Sequence, residues 1–177
     1  LHQEIGNVEI QSAGILLRDD RAERRRTVRK LKKQLVGQSF TSTRRHGKWL
    51  FAAFDGPMGG FLVLHFGMTG GLRYFQDLEE EPEYTRLLID FEGGCHLAYH
   101  AMRKLGAIRV VSDVHAFVDE KGLGPDALDP VLNLSAFGEI VCGRRVMAKS
   151  LLMDQHAIAG IGNVYADEIL FQGGVHP

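Results

Sequence analysis

Leu152-Met153-Asp154-Gln155-His156-Ala157-Ile158-Ala159-Gly160-Ile161-Gly162-Asn163-Val164-Tyr165-Ala166-Asp167-Glu168-Ile169-Leu170 reads as a helix, a tight glycine turn and a second helix. Gly160 and Gly162 carry no Cβ, so another stretch of backbone can approach the turn closely. Asn163 stands where the second helix opens, and its side chain suits an N-cap, accepting from an orphan amide of the first turn. The free amides and the positive end of that helix would suit a phosphate. An ordinary helix–helix corner has the same pattern, and on these residues alone both readings stand.

Working outward, the surroundings of this segment are helical. Ser135 is placed to cap a run through Ile140 and Val141, Met147 to His156 reads as the helix before the turn, and the helix opened by Asn163 runs through Phe171. Gly122-Leu123-Gly124-Pro125 and Asp129-Pro130 punctuate a linker upstream. Before it the period changes to that of strands: Val8 to Leu17, Trp49 to Phe54, Phe61 to Phe66, Arg86 to Phe91, His96 to Tyr99 and Ala107 to Val111. Asp55-Gly56-Pro57 with Gly59-Gly60, Gly70-Gly71 and Gly93-Gly94 are turns that suit antiparallel hairpins. One helix interrupts the strands, from Arg21 to Leu35, with Val28, Leu31 and Leu35 as a narrow apolar stripe. Its remainder is basic (Arg24, Arg25, Arg26, Arg29, Lys30, Lys32, Lys33), either a solvated face or a surface turned to DNA. The expected fold is α+β: a two-layer antiparallel β-sandwich followed by a helical domain. The expected boundaries are 1–121 for the sandwich, 122–134 for the linker and 135–177 for the helices.

Composition excludes several classes. Hydrophobic residues make up 45% of the 177, an ordinary globular content. The formal net charge of -1 offers no global attraction for nucleic acid, so any basic face must come from local clustering. Cys95 and Cys142 stand far apart and outside any C-x-x-C pair, which excludes a four-cysteine zinc site within the chain. They point instead to free thiols in a reducing compartment. The longest apolar run, Phe61-Leu62-Val63-Leu64, breaks at His65, far short of the roughly 20 residues of a membrane span. A cytoplasmic, nucleoid-associated or nuclear monomer, neither secreted nor membrane-bound, is the expectation.

The identities within the glycine-turn segment closely resemble the helix–two-turn–helix element of the formamidopyrimidine-DNA glycosylase / endonuclease VIII family. A second match is Arg44-Arg45-His46-Gly47-Lys48-Trp49-Leu50 followed by Leu62-Val63-Leu64-His65-Phe66-Gly67-Met68-Thr69-Gly70. It is similar to the family's Arg-Gly-Lys hairpin and its Gly-Met-Thr/Ser-Gly loop. A third, Tyr99-His100-Ala101-Met102-Arg103-Lys104-Leu105-Gly106-Ala107-Ile108, resembles the Asp-Pro-Arg-Arg-Phe-Gly loop, with Leu105 in the aromatic position and Ala101-Met102 in place of Asp-Pro. Leu123-Gly124-Pro125-Asp126-Ala127-Leu128 matches the interdomain linker. Taken singly, Lys48 is a surface lysine, Met68 a gap-filler and the glycine turn a corner. Matching order and spacing favour the family over all three.

The resemblance implies roles. Lys48 would assist the chemistry at the damaged nucleotide. Asn163 and Lys149, with Gly160 and Gly162 shaping the turn, would hold the DNA backbone beside the lesion, and Glu168 would help hold the turn. Met68, Arg103 and Leu105 would enter the space left by a flipped nucleotide; leucine wedges by apolar contact but stacks less well than an aromatic ring. Asn163, Lys149, Lys48 and Arg103 are expected on one face. The implied partner is duplex DNA containing a damaged base or an abasic site. The implied activity is base excision with abasic-site lyase chemistry, in which an N-terminal proline followed by glutamate supplies the attacking amine. No Pro-Glu precedes Ile5, and the family's β-hairpin finger, zinc or zincless, does not appear before Pro177. Both ends therefore read as cut, and the chain alone is expected to be inactive, with no cofactor of its own. The alternative is a relative that binds damaged or bent DNA without cutting it. A scaffold with no DNA role leaves the glycine turn and the Lys48 hairpin unexplained.

Overall fold

The computed structural model describes residues 5–9, 21–56, 59–103 and 105–176. Contacts divide the chain into two compact units, Leu1–Arg44 with Trp49–Val114, and Arg45–Lys48 with His115–Pro177. The elements of the first unit are β1 (Ile5–Glu9), α1 (Arg21–Leu35), β2 (Phe40–His46), β3 (Trp49–Phe54), β4 (Gly60–His65), β5 (Gly71–Phe75), β6 (Thr85–Phe91), β7 (His96–His100) and β8 (Ala107–Val111). They form two four-stranded sheets, in the orders β1-β6-β7-β5 and β2-β3-β4-β8. Partners run antiparallel, as in β3 on β4 and β6 on β7.

The alternation of side chains along a strand explains why two sheets face each other. In β6, Leu87, Ile89 and Phe91 point into one core with Phe54, Leu62, Leu64, Tyr99 and Ile108, so both sheets contribute. Leu88, one residue out of step, points the other way and packs with Phe75 and Ala98. Leu31 and Leu35 of α1 are buried in the shared core, so the apolar stripe read from the sequence is the face this helix turns inward. Each such buried leucine contributes roughly 1.5–3 kcal/mol over an exposed one. The fold is the expected sandwich, and α1 spans the expected residues.

Two strands carry no apolar alternation. β2 exposes Thr41, Ser42, Thr43 and Arg44, and β5 exposes Leu72, Arg73 and Tyr74. Both are edge strands, built to stay wet, which is why a search for buried periodicity passes over them. The strand expected from Val8 to Leu17 meets the structure only at its start, where β1 is described; residues 10–17 lie outside the described residues.

The second unit carries α2 (Val114–Glu120, from its second residue), α3 (Leu134–Val141), α4 (Ala148–Met153) and α5 (Asn163–Gln172). Leu151 and Leu152 of α4 pack with Ala157, Ile158 and Ile161 of the turn and Ala166 and Leu170 of α5. Three expectations about these helices need correction. Asn133, not Ser135, caps α3, accepting from the Ala136 amide at 3.0 Å. The helix before the turn stops at Met153 rather than His156, because the Asp154 carboxylate accepts from the His156 amide and folds the chain into a turn. Gly162 is the N-cap of α5, so Asn163 is already its first helical residue and its side chain does not cap the helix. Among the described residues, no helix is long and apolar enough to cross a membrane.

Candidate nucleic-acid interface

The segment Arg45–Lys48 comprises the last two residues of β2 and the turn into β3, yet its contacts belong to the helical unit. Arg45 explains why. Its guanidinium grips the Asp126 carboxylate through both terminal nitrogens, each at 2.7 Å, and Nη1 also donates to the Gly47 carbonyl at 2.8 Å. Asp126 accepts in addition from the amides of Gly47 (2.5 Å) and Leu128 (2.8 Å). Burial alone would push this carboxyl up. Hydrogen bonds from Arg45, Leu128 and Gly47, with the arginine charge, outweigh it and hold the pKa below the usual carboxylate value. Beside this fork, His46 Nε2 lies 2.9 Å from the Gly124 carbonyl. Gly47 sits at φ +56° with the place of a Cβ only 2.9 Å from the Ala159 methyl. A side chain there would be strained by conformation and blocked by contact.

The linker segment is clipped to the glycine turn by backbone bonds. Ala159 N donates to Pro125 O at 2.9 Å, and Ala127 N donates to Ala159 O at 2.8 Å. Gln155 shapes the turn itself. Its side-chain amide donates to Ile161 O (2.8 Å) and Met153 O (2.9 Å), while its oxygen accepts from Gly160 N (3.0 Å). Glu168, implied to hold the turn, does not do so. It is exposed on α5 and makes no hydrogen bond or ion pair among the described residues, and Gln155 does the work instead.

This framework brings Lys48 to the start of α5. A methyl group at Gly162 would stand 3.6 Å from Lys48 Nζ, in ordinary contact. The lysine keeps solvent access, yet partial burial lowers its pKa below the ordinary value. No acceptor or carboxylate among the described residues pairs with it. Asn163 follows directly, exposed, with Nδ2 3.4 Å from Asp167 Oδ2. Lys149 reaches the same carboxylate from α4, its Nζ 2.6 Å from Asp167 Oδ1. The second unit thus gathers Lys48, Lys149, Gly160, Gly162 and Asn163 around the opening turn of a helix whose free amides point outward. Such an arrangement favours an anion with several oxygens.

The remaining site residues form a separate group in the first unit. Met68 is 73% exposed in the loop after β4, a position that no core-packing role requires. Arg103 Nη1 lies 3.9 Å from its sulfur. Leu105, also exposed, borders Gly67 so closely that a Cβ on that glycine would stand 2.8 Å from the leucine's carbonyl carbon. Tyr99 fixes the base of both loops by donating to the His65 carbonyl at 2.9 Å. Two apolar tips and a guanidinium held together in solvent have the chemistry of a wedge between bases. Arg103 therefore groups with Met68 and Leu105, in a different unit from the lysines and Asn163.

Sequence reasoning missed three residues here: Asp126, Gln155 and Asp167. Asp126 and Gln155 stand inside segments that carry the resemblance, but their roles are not legible there, because their partners are backbone groups and a distant arginine. Asp167 had one readable signal, its helical i,i+4 spacing from Asn163. Among the described residues, no group of three or more His, Cys, Asp or Glu side chains could hold a metal ion. A zinc site therefore has no donor set among them.

Comparison with known proteins bears on the family and the fold. The family model for the formamidopyrimidine-DNA glycosylase N-terminal domain matches residues 1–108, and that for the formamidopyrimidine-DNA glycosylase H2TH domain matches residues 123–177. The formamidopyrimidine-DNA glycosylase of Protochlamydia amoebophila is 35% identical over 144 residues, covering 81% of this chain and 51% of that protein. That of Moorella thermoacetica is 32% identical over 177 residues, covering 99% of this chain and 61% of that protein. The chain thus spans between about half and three fifths of the length of these relatives. A Lactococcus lactis Fpg in complex with DNA containing N7-benzyl-Fapy-dG superposes with a TM-score of 0.84 at 25% identity, over 100% of this chain and 62% of that one. The same enzyme non-covalently bound to DNA containing an AP site gives a TM-score of 0.86 at 24% identity, over 100% of this chain and 64% of that one, which speaks for the fold.

Proposed function

Since the chain belongs to the formamidopyrimidine-DNA glycosylase family, we propose that it serves base-excision repair as a DNA glycosylase with abasic-site lyase activity, removing oxidised bases from duplex DNA. One observation carries this reading: Lys48, a lysine without a partner among the described residues, is held beside the opening turn of α5 by the Arg45–Asp126 fork. The lesion-flanking phosphate is the anion that suits Asn163, Lys149 and the α5 amides. Met68, Arg103 and Leu105 supply the wedge that fills the stack once a nucleotide has left it.

The bond to be broken joins the base to sugar C1′, which is out of reach inside a stacked duplex, so the nucleotide must be flipped out. An amine then attacks C1′, and the base departs with the electron pair of the broken bond and takes up a proton. The nitrogen now bonded to C1′ gives up its proton, and the pair this frees forms the C=N bond of a Schiff base as the C1′–O4′ bond breaks and O4′ takes up a proton. Loss of a C2′ proton then expels the 3′ phosphate. The attacking amine must be unprotonated. In the family, by the resemblance, it is an N-terminal proline. By the resemblance, Lys48 takes the supporting part, stabilising negative charge at the base or phosphate and passing a proton when needed.

Borohydride trapping of the full-length protein on duplexes carrying an abasic site or an oxidised base tests this directly. Trapping and base release are expected. Lys48→Ala should cut base release by about 10²–10³, the usual cost of one preorganised electrostatic donor, while leaving DNA affinity within a few-fold. Salt-sensitive DNA binding without trapping would reassign the protein as a damaged-DNA binder. Binding indifferent to salt would sink both readings, because phosphate contacts release counterions.

A further inference from the structure

Asp167 stands inside the proposed phosphate site with the wrong charge for it. The two oxygens of its carboxylate are divided between that site's donors: Oδ1 lies 2.6 Å from Lys149 Nζ and Oδ2 lies 3.4 Å from Asn163 Nδ2. The asparagine and aspartate are four residues apart on one face of α5, while the lysine reaches in from α4. Lys48, near the same turn, has no such partner among the described residues. Of the two lysines implied by the resemblance, one has no partner among the described residues and the other is covered by Asp167.

The geometry points to Asp167 as a built-in counter-ion of the backbone-binding site. Its carboxylate occupies the hydrogen-bonding directions of Lys149 and Asn163 in the free protein, and a DNA phosphate must displace it. This rests on the DNA-binding reading above. Carboxylate and phosphate oxygens accept from the same N–H donors along the same directions, so the two compete. Asp167 keeps 49% of its side chain exposed and Lys149 keeps 29%, so the carboxylate can swing into water once the phosphate arrives. The effect is a toll on every duplex, damaged or not. It is recovered only where the wedge and the flipped nucleotide add contacts of their own. Loose grip on undamaged DNA is what a protein needs to keep searching.

The test measures binding of the full-length protein to an undamaged duplex and to an abasic-site duplex by fluorescence anisotropy across a salt series. Wild type is compared with Asp167→Asn, Asp167→Ala, Lys149→Ala, the double variant Lys149→Ala/Asp167→Ala, and Glu139→Gln as a control for simple loss of negative charge. Asp167 is a half-exposed surface residue, so the fold is expected to survive each change, and circular dichroism checks it. Both Asp167 variants should bind undamaged duplex about two- to fivefold more tightly at low salt, the worth of an exposed ion pair. Their log Kd against log salt slope should steepen by up to about 0.9, one extra phosphate neutralised. The double variant should lose the gain. Equal or weaker binding by both Asp167 variants, a gain that survives Lys149→Ala, or an equal gain from Glu139→Gln would overturn the assignment. Wild type alone reads the DNA-binding reading: if its affinity ignores salt, that reading fails, and this inference with it.

Discussion

Replacing Asp126 with alanine removes the acceptor on which the Lys48 loop hangs. The carboxylate receives two bonds from Arg45 and one each from the Gly47 and Leu128 amides. These do not cost the same to lose. Gly47 is buried, so its amide cannot turn to water, and leaving it unsatisfied costs about 1–3 kcal/mol. Leu128 is 80% exposed and hydrates readily, for less than about 1 kcal/mol. Arg45 keeps 44% of its side chain in solvent, so its pairing is worth about 0.2–1 kcal/mol after screening. The total is about 3 kcal/mol, most of it from one backbone N–H. Urea unfolding followed by the fluorescence of Trp49, which directly follows the loop, reads the change locally. The pH dependence supplies a second check. The folded pKa of Asp126 is depressed, so its stabilisation is complete above the unfolded value of about 3.9 and is lost as pH falls toward the folded value. The gap between wild type and Asp126→Ala should therefore be widest near pH 7 and narrow below about pH 4. A loss under 1 kcal/mol, or a gap that does not shrink in acid, would refute the account of how Lys48 is held.

Gly47→Ala should destabilise by about 1–3 kcal/mol, because φ is +56° and the new methyl meets Ala159 at 2.9 Å; thermal unfolding measures it. If protonated Lys48 supports base release, the alkaline limb of the rate should set in below 10.5, since burial lowers its pKa, and Lys48→Arg should move that limb upward. A pH–rate profile under single-turnover conditions decides, and an unmoved limb counts against the role. Leu105→Phe adds a stacking face to the exposed wedge and should tighten binding to an abasic-site duplex by about 1 kcal/mol, with little effect on an intact one. Equal tightening of both duplexes would mean that Leu105 does not enter the stack.

How legible each part was depended on what kind of physics encoded it. α1 and the central strands announce themselves because burial imposes a period, and Leu87, Ile89 and Phe91 repeat at the interval a strand demands. β2 buries no residue fully and β5 only Phe75, too few to impose a period, so their residues read as loop. The cap of α3 was misplaced because both Asn133 and Ser135 suit the role, and only the backbone geometry chooses between them. At the proposed site, Lys48, Lys149 and Asn163 are singled out by resemblance alone, since no single-residue signal separates them from surface residues. Asp126 stayed hidden because its main side-chain partner, Arg45, is 81 residues away. Asp167 was visible but unread, because an acidic residue contradicts the chemistry of a phosphate site.

Gln155 has a consequence for how the glycine turn meets whatever it binds. A primary amide offers a donor and an acceptor on one planar end, as a peptide unit does. By bonding Gly160 N and Ile161 O together, it closes the chain between them into a ring. Glutamate lacks the donor, and asparagine falls one methylene short. A closed ring has already surrendered the freedom that an open loop would give up on binding. An oxyanion arriving at the amides of α5 therefore meets a surface whose shape is settled in advance, and little of the contact energy goes into ordering the protein.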